Sequence, residues 1–180
     1  MRDSLTYPKD NRMNYCVKLV ILDVDGVLTD GRKHYGIDGM PHTKVYCDKD
    51  FTAIKRLKGA GVKVCILSGD NIVNEAMAKN RNIDFYYARG KDKADFVPDF
   101  VSTYDVAPNK MLYIGDDLFD QSIMNVVGHA YCPIDACPDI KKICGPDNIV
   151  PSGAGRNVIM YLVDILLKRG HIPDCTIQEI

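Results

Sequence analysis

Residues 18–29 read KLVILDVDGVLT: four consecutive aliphatic residues, Leu19-Val20-Ile21-Leu22, run straight into two aspartates one residue apart. A short, unbroken apolar run of this kind is a strand buried on both faces, as found at the centre of a parallel sheet. Asp23 and Asp25 then fall at the carboxyl end of a central strand, where open α/β sheets carry their active sites. Along an extended chain these two side chains point the same way, and like charges held close repel unless a cation or a shared proton relieves them. A divalent metal is the relief these residues favour, and Gly26 beside them permits close approaches that a side chain would block.

The rest of the chain supplies partners for that strand. In residues 31–48, the extended runs 32–35 and 42–46 flank Gly36-Ile37-Asp38-Gly39, the pattern of a β-hairpin. Phe51, Ile54 and Leu57 at helical spacing predict a helix over 51–59, stopped by Gly59 and Gly61. Further buried strands are predicted over 62–67, 83–88, 111–114 and 128–132, and helices over 71–82, 91–104, 118–126, 139–143 and 156–168. Pro98 imposes a kink or a late start on the helix over 91–104. The alternation implies one α/β domain over 17–169, a mainly parallel sheet with helices on both faces, between tails at 1–16 and 170–180. At 180 residues the chain is long enough for one such domain with a full core and too short for two large ones.

Composition removes several function classes. With a net charge of −1 and a pI near 6.4, nothing marks a polybasic nucleic-acid binder. No apolar stretch approaches the roughly 20 residues that span a bilayer, and residues 1–15 are polar, so a cytoplasmic protein is expected. The seven cysteines include no CxxC pair and read as reduced thiols; the spacing of Cys132, Cys137 and Cys144 fits no common zinc site. His34, His42, His129 and His171 have no partner at metal spacing along the chain and read as solvated or packing residues.

Three more polar clusters fall just beyond strand ends: Ser68-Gly69-Asp70, Lys93, and Gly115-Asp116-Asp117-Leu118-Phe119-Asp120. A parallel sheet converges those ends on one edge, which assembles acidic metal ligands, a hydroxyl and a lysine in one crevice, a set suited to phosphoryl transfer. Singly, each aspartate could be a turn or cap residue; Asp70 could cap the helix after it, as could Asp117.

Taken in order, DVDGVLT, LSG, Lys93 and IGDDLFD resemble the four motifs of the haloacid dehalogenase superfamily. Within it the chain is similar to the capless sugar-phosphate phosphatases of the 3-deoxy-D-manno-octulosonate 8-phosphate phosphatase type, in residues 23–31, the hairpin after them, Asp92-Lys93, residues 115–120 and the late Gly153-Ala154-Gly155. The resemblance implies a Rossmann-like haloacid dehalogenase fold with a β-hairpin flap and no cap domain. The 45 positions from Asp23 to Ser68 and the 25 from Ser68 to Lys93 independently leave no room for a helical cap.

By the same resemblance, Asp23 is the nucleophile that forms an aspartyl-phosphate, and Asp25 is the general acid and base. Asp23, the main-chain carbonyl of Asp25, and Asp116 would hold Mg²⁺. Ser68 would bond a phosphoryl oxygen and Lys93 would neutralise the phosphate, with Gly69, Asp70, Asp117 and Asp120 in supporting or substrate-facing places. The implied substrate is a 2-keto-3-deoxy sugar acid phosphate of bacterial surface-sugar synthesis, and the implied assembly a homotetramer built through the hairpin. Octulosonate phosphatases usually carry arginine directly after the LSG glycine, where this chain has Asp70. The related 2-keto-3-deoxy-nonulosonate 9-phosphate phosphatases carry an acidic residue there, which turns the substrate expectation toward nine carbons. Asp50-Phe51-Thr52-Ala53 also departs from the glycine-rich run usual at its place. Two other functions compete: a non-catalytic oligomerisation module of a cytidylyltransferase system, and a phosphatase of a macromolecular substrate.

Overall fold

The computed structural model describes residues 16–174; apart from Cys16, the expected N-terminal tail lies outside them, as do residues 175–180. The apolar run at the start becomes β1 (Leu19–Leu22), every residue of it fully buried. The hairpin forms from β2 (His34–Tyr35) and β3 (Pro41–Thr43), shorter than its sequence pattern suggests. Then come α1 (Asp48–Gly59), β4 (Lys63–Ser68), α2 (Ile72–Asn80) and β5 (Asp84–Tyr87). The second half holds α3 (Val97–Tyr104), β6 (Met111–Ile114), α4 (Gln121–Met124), β7 (His129–Pro133), α5 (Pro138–Cys144), β8 (Ile149–Val150) and α6 (Val158–Lys168).

Six strands pair in parallel in the order β5-β4-β1-β6-β7-β8. The chain fills one half of the sheet outward from β1 and then returns to fill the other, so the order reverses between β1 and β6. That reversal opens a crevice beyond the carboxyl ends of these two strands. Because side chains alternate across a strand, Val20 and Leu22 join the core under α1, α2 and α6 while Leu19 and Ile21 join the core under α3, α4 and α5. Among the described residues there is no cap domain, and no helix is long and apolar enough to cross a membrane.

Three local differences from expectation have simple causes. Residues Lys93–Phe96 form a separate 3₁₀ turn and α3 starts at Val97, so Pro98 sits in the first helical turn, where its missing N–H costs nothing; the late start wins over the kink. The segment after β6 splits into a 3₁₀ turn, Leu118–Asp120, and the short α4. Strand β8, two residues long, has no periodicity to read and exists through its pairing with β7.

The amino-terminal edge of the sheet is closed by the ends of the described chain. The Val17 amide donates to the His171 carbonyl (3.2 Å), and Ile172 is buried against the core below α6. Here His129, the first residue of β7, and His171 lie with ring centroids 5.3 Å apart, so two histidines with no neighbour in sequence spacing are neighbours in space.

Candidate active site

Asp23 follows β1 and Gly115-Asp116 follow β6, one on each side of the crevice. The loop after β1 turns tightly, with the amides of Val27, Leu28 and Thr29 all donating to the Val24 carbonyl. Gly26 has φ of +89°, and a Cβ there would lie 2.0 Å from Asp116 Oδ2, so only glycine lets the Asp116 carboxylate lie against this loop. The late Gly153-Ala154-Gly155 reaches the same loop. The Gly155 amide donates to the Val27 carbonyl (3.0 Å), and a Cβ on it would lie 2.7 Å from the Asp30 nitrogen. That segment braces the first loop; helix α6 begins only at Val158.

Lys93 holds the centre. Its Nζ lies 3.2 Å from Asp23 Oδ1 and 2.6 Å from Asp120 Oδ1, and it donates to the Tyr113 hydroxyl at 2.8 Å. Both oxygens of Asp120 are committed: Oδ1 accepts from Lys93 and from the Tyr113 hydroxyl (2.6 Å), and Oδ2 accepts from the amides of Asp116 (2.9 Å) and Asp117 (3.1 Å). Asp120 is thus a buried bracket that fixes both the lysine and the loop carrying Asp116. Asp117 is exposed and caps the turn after it through Leu118 N (2.7 Å), so of the two acidic residues left open by sequence, Asp120 is the one in the cluster.

Asp23, Asp116 and Asp120 each offer a carboxylate oxygen, all within 4.8 Å of one another. Burial pushes Asp23 up to about 7, with Asp120 adding to the rise and Lys93 opposing it; burial and the neighbouring carboxylates push Asp116 up to about 8. Burial disfavours charge on Lys93 as well, but Asp23 and Asp120 outweigh it and hold the ammonium above its ordinary range. Asp116 Oδ1 is buried with no hydrogen-bond partner among the described residues. A buried, unpaired carboxylate oxygen among other carboxylates is what a hard divalent cation satisfies, so the donor set fits Mg²⁺. With both its oxygens engaged, Asp120 is better placed as a support than as a ligand.

The side chain of Asp25 turns away from this cluster. Its Oδ1 accepts from Thr29 Oγ1 (3.3 Å) and its Oδ2 from Lys44 Nζ (2.8 Å), so any metal contact from this residue falls to its main-chain carbonyl. Lys44, just past the hairpin strand β3, has a fully buried side chain and donates to Asp25 Oδ2 (2.8 Å), Asp70 Oδ2 (2.8 Å) and Asn74 Oδ1 (2.9 Å). Asn74 in turn donates to Ser68 Oγ (3.0 Å) at the end of β4, and Tyr46 donates to Asn74 Oδ1 (2.9 Å). Lys33, on the other side of the hairpin, lies 3.3 Å from Asp70 and 3.6 Å from Asp25. Burial would raise the Asp70 pKa, but hydrogen bonds and charge from Lys44 and Lys33 hold it below the ordinary range.

Asp70 therefore does not cap α2. The helix starts at Ile72 behind Asn71, which makes no side-chain cap, and the Asp70 carboxylate faces the two lysines instead. Gly69 has open space around it and no steric demand of the kind met at Gly26. Lys44, Lys33, Asn74 and Tyr113 escaped the sequence reading, since each acquires its partner only when the hairpin, β4 and β6 come together. The one available signal was that Lys33 and Lys44 lie on the two runs of the predicted hairpin that follows Asp23 and Asp25.

No protein-family model matches the chain. Among curated proteins it is similar to the 3-deoxy-D-manno-octulosonate 8-phosphate phosphatase KdsC of Escherichia coli, 30% identical over 166 residues that cover 91% of this chain and 87% of that one. The protein of the same name from Haemophilus influenzae is 29% identical over 153 residues, covering 84% of this chain and 83% of that one. Among solved structures, the cobalt-bound form of the Haemophilus influenzae deoxy-D-mannose-octulosonate 8-phosphate phosphatase matches with a TM-score of 0.79 at 29% identity, covering 86% of this chain and 89% of the other.

Proposed function

The chain belongs to the 3-deoxy-D-manno-octulosonate 8-phosphate phosphatase family of the haloacid dehalogenase superfamily, phosphoric monoester hydrolases, and from that premise we propose that it hydrolyses a 2-keto-3-deoxy sugar acid phosphate with Mg²⁺. The observation that carries this reading is the buried arrangement of Asp23, Lys93, Asp120 and the partly orphaned Asp116 where the strand order reverses.

An Asp23 oxygen attacks phosphorus, the bond from phosphorus to the sugar oxygen breaks, and Asp25 gives its proton to that oxygen as the electron pair departs. Asp25 then takes a proton from water, which attacks the aspartyl-phosphate and frees phosphate and the Asp23 carboxylate. Lys93, charged and fixed by Asp120 and Tyr113, faces the attacking carboxylate and the incoming phosphate. The Ser68 hydroxyl, held by Asn74, is a donor for a phosphoryl oxygen. Asp23, the Asp25 carbonyl and Asp116 would hold Mg²⁺, which supplies positive charge for the phosphoryl oxygens. The setting is cytoplasmic and the working form a homotetramer.

Octulosonate 8-phosphate is the first substrate to test, on the names of the relatives. The nine-carbon nonulosonate 9-phosphate is the second, favoured by one observation: Asp70, paired with Lys44 and Lys33, stands where octulosonate phosphatases usually have arginine. Phosphate release should be measured with Mg²⁺ on the eight- and nine-carbon substrates and on p-nitrophenyl phosphate. Turnover that needs Mg²⁺ and disappears in folded Asp23→Asn is expected, and the ratio of the two sugar substrates ranks them. Absence of turnover on all three would favour the assembly-module alternative, and wild-type-like turnover by Asp23→Asn would remove the nucleophile assignment.

A further inference from the structure

We propose a second metal site, of zinc type, made by Cys16, His129 and His171 at the edge of the sheet opposite the phosphatase crevice. One thiol sulfur and one nitrogen from each imidazole lie within 4.8 Å of one another. A tetrahedral zinc site has metal–ligand lengths of about 2.0–2.3 Å, which sets its donors roughly 3.3–3.8 Å apart, so these donors stand at most about 1 to 1.5 Å beyond that spacing. Sulfur and imidazole donors select zinc, cobalt or copper over magnesium, the reverse of the oxygen-rich crevice.

The three ligands arrive on separately anchored segments. Cys16 precedes β1, and the next residue, Val17, is tied to the His171 carbonyl (3.2 Å). His129 opens β7 opposite Leu112 of β6, and the His171 amide donates to the Leu166 carbonyl (2.9 Å) just past the end of α6. A second observation points to a ligand: His171 Nδ1 is buried with no hydrogen-bond partner among the described residues. Such an atom carries a desolvation cost that coordination would remove. Zinc takes cysteine as the thiolate and histidine as the neutral imidazole. Binding therefore displaces the Cys16 proton to solvent, with thiolate, two neutral imidazoles and one water completing four-coordination. All three residues are half-buried, within reach of an ion from solvent.

The test uses the untagged full chain, reduced and stripped of metal, with Mg²⁺ in excess to occupy the oxygen site. Titration with Co²⁺ should give a sulfur-to-cobalt charge-transfer band in the near ultraviolet and strong tetrahedral bands in the visible, saturating at one ion per chain, and Zn²⁺ should displace them. Oxygen ligation in the crevice produces no thiolate band, so the two sites are distinguished. Cys16→Ser should abolish the band, whereas Cys175→Ser should leave it. His129→Gln and His171→Gln should each weaken Zn²⁺ binding by about 10²-fold or more, since loss even of an outer-sphere partner costs 10- to 100-fold. Mg²⁺-dependent turnover of p-nitrophenyl phosphate should persist in every variant and serves as the check on folding; if one histidine variant fails to fold, the other decides. A missing charge-transfer band, a band that survives Cys16→Ser, or unchanged Zn²⁺ affinity in the histidine variants would overturn the site.

Discussion

At the scale of single residues, Lys44 links the most. A lysine ammonium has three protons, and here each has an acceptor: Asp25, Asp70 and Asn74. With the proposed general acid held on one oxygen by Lys44 and on the other by Thr29, the Asp25 carboxyl is confined to one orientation. Lys44→Met should release it and leave Lys33 alone to bridge the two neighbouring carboxylates. General acid catalysis contributes about 10²- to 10⁴-fold when the leaving group is a poor one, so turnover of a sugar phosphate should fall by roughly 10²-fold. Turnover of p-nitrophenyl phosphate, whose leaving group departs without a proton, should fall by less than about tenfold. Equal losses on both substrates, measured as kcat at saturating Mg²⁺, would reduce Lys44 to a structural bridge. Asp23, Ser68, Lys93 and the acidic cluster were legible as one candidate group because Asp23 and Asp116 follow strands, Ser68 ends one and Lys93 opens the turn after another, and strand ends converge. Lys44, Asn74 and Tyr113 were not, because the contacts that tie them to the site span 19 to 30 residues of chain. Asp70 looked like a cap by position alone, and what removes it from that role is the competing pair of ammonium groups across the crevice.

Between elements, the coupling most open to measurement runs from α1 to α6. Asp50 in the first turn of α1 is 1% exposed, and its Oδ1 accepts from the amides of Ile159 (2.9 Å) and Met160 (3.1 Å) at the start of α6. It thereby serves as the N-terminal acceptor of a helix whose own flanking residue, Asn157, makes no cap. Burial nevertheless pushes Asp50 up to about 6, the α6 amides opposing it, and its Oδ2 has no partner among the described residues. A carboxyl raised in this way stabilises the fold fully below its unfolded pKa of about 4 and loses that contribution as the pH rises through about 6. Asp50→Asn keeps an acceptor without the titration. Relative to wild type, its unfolding free energy in urea should therefore rise between about pH 4 and pH 7, by up to about 3 kcal/mol at 1.36 kcal/mol per pH unit. Parallel pH curves for the two proteins would place the Asp50 charge in water. The departure at residues 50–53 thus has a packing function, joining α1 to α6. Strand β6 matches its expected bounds residue for residue, because four apolar residues lie between clear breaks. Hairpin strands and β8 are the least legible elements, since two or three residues carry no period and depend on the strand beside them.

For the whole molecule, the hairpin is the feature a single chain leaves unfinished. Its roots are fixed, since Lys33 and Lys44 bind the acidic residues of the crevice. It carries large apolar side chains in water: Tyr35 is 64% exposed, Ile37 110%, Met40 42% and Val45 74%. Large side chains gathered on one projecting ribbon cost hydrophobic free energy in water and mark an association surface. A stable interface buries about 800 Å² on each partner, more than a hairpin tip provides alone, so the ribbon must meet further surface on its neighbour. In the homotetramer proposed above, each ribbon would be covered by another chain, and its roots would carry that contact to Asp25 and Asp70. Light scattering at micromolar concentration should report four chains per particle, and Tyr35→Asp with Ile37→Asp should yield smaller particles. Because misplacing catalytic groups by an ångström can cost about 10²-fold, kcat/KM for the sugar acid phosphate should fall by at least roughly tenfold in that variant. Secondary structure by circular dichroism should be unchanged, since both side chains are exposed in the monomer. A wild-type monomer that turns over the sugar acid phosphate efficiently would show that the crevice is complete within one chain and leave the apolar ribbon to some other contact.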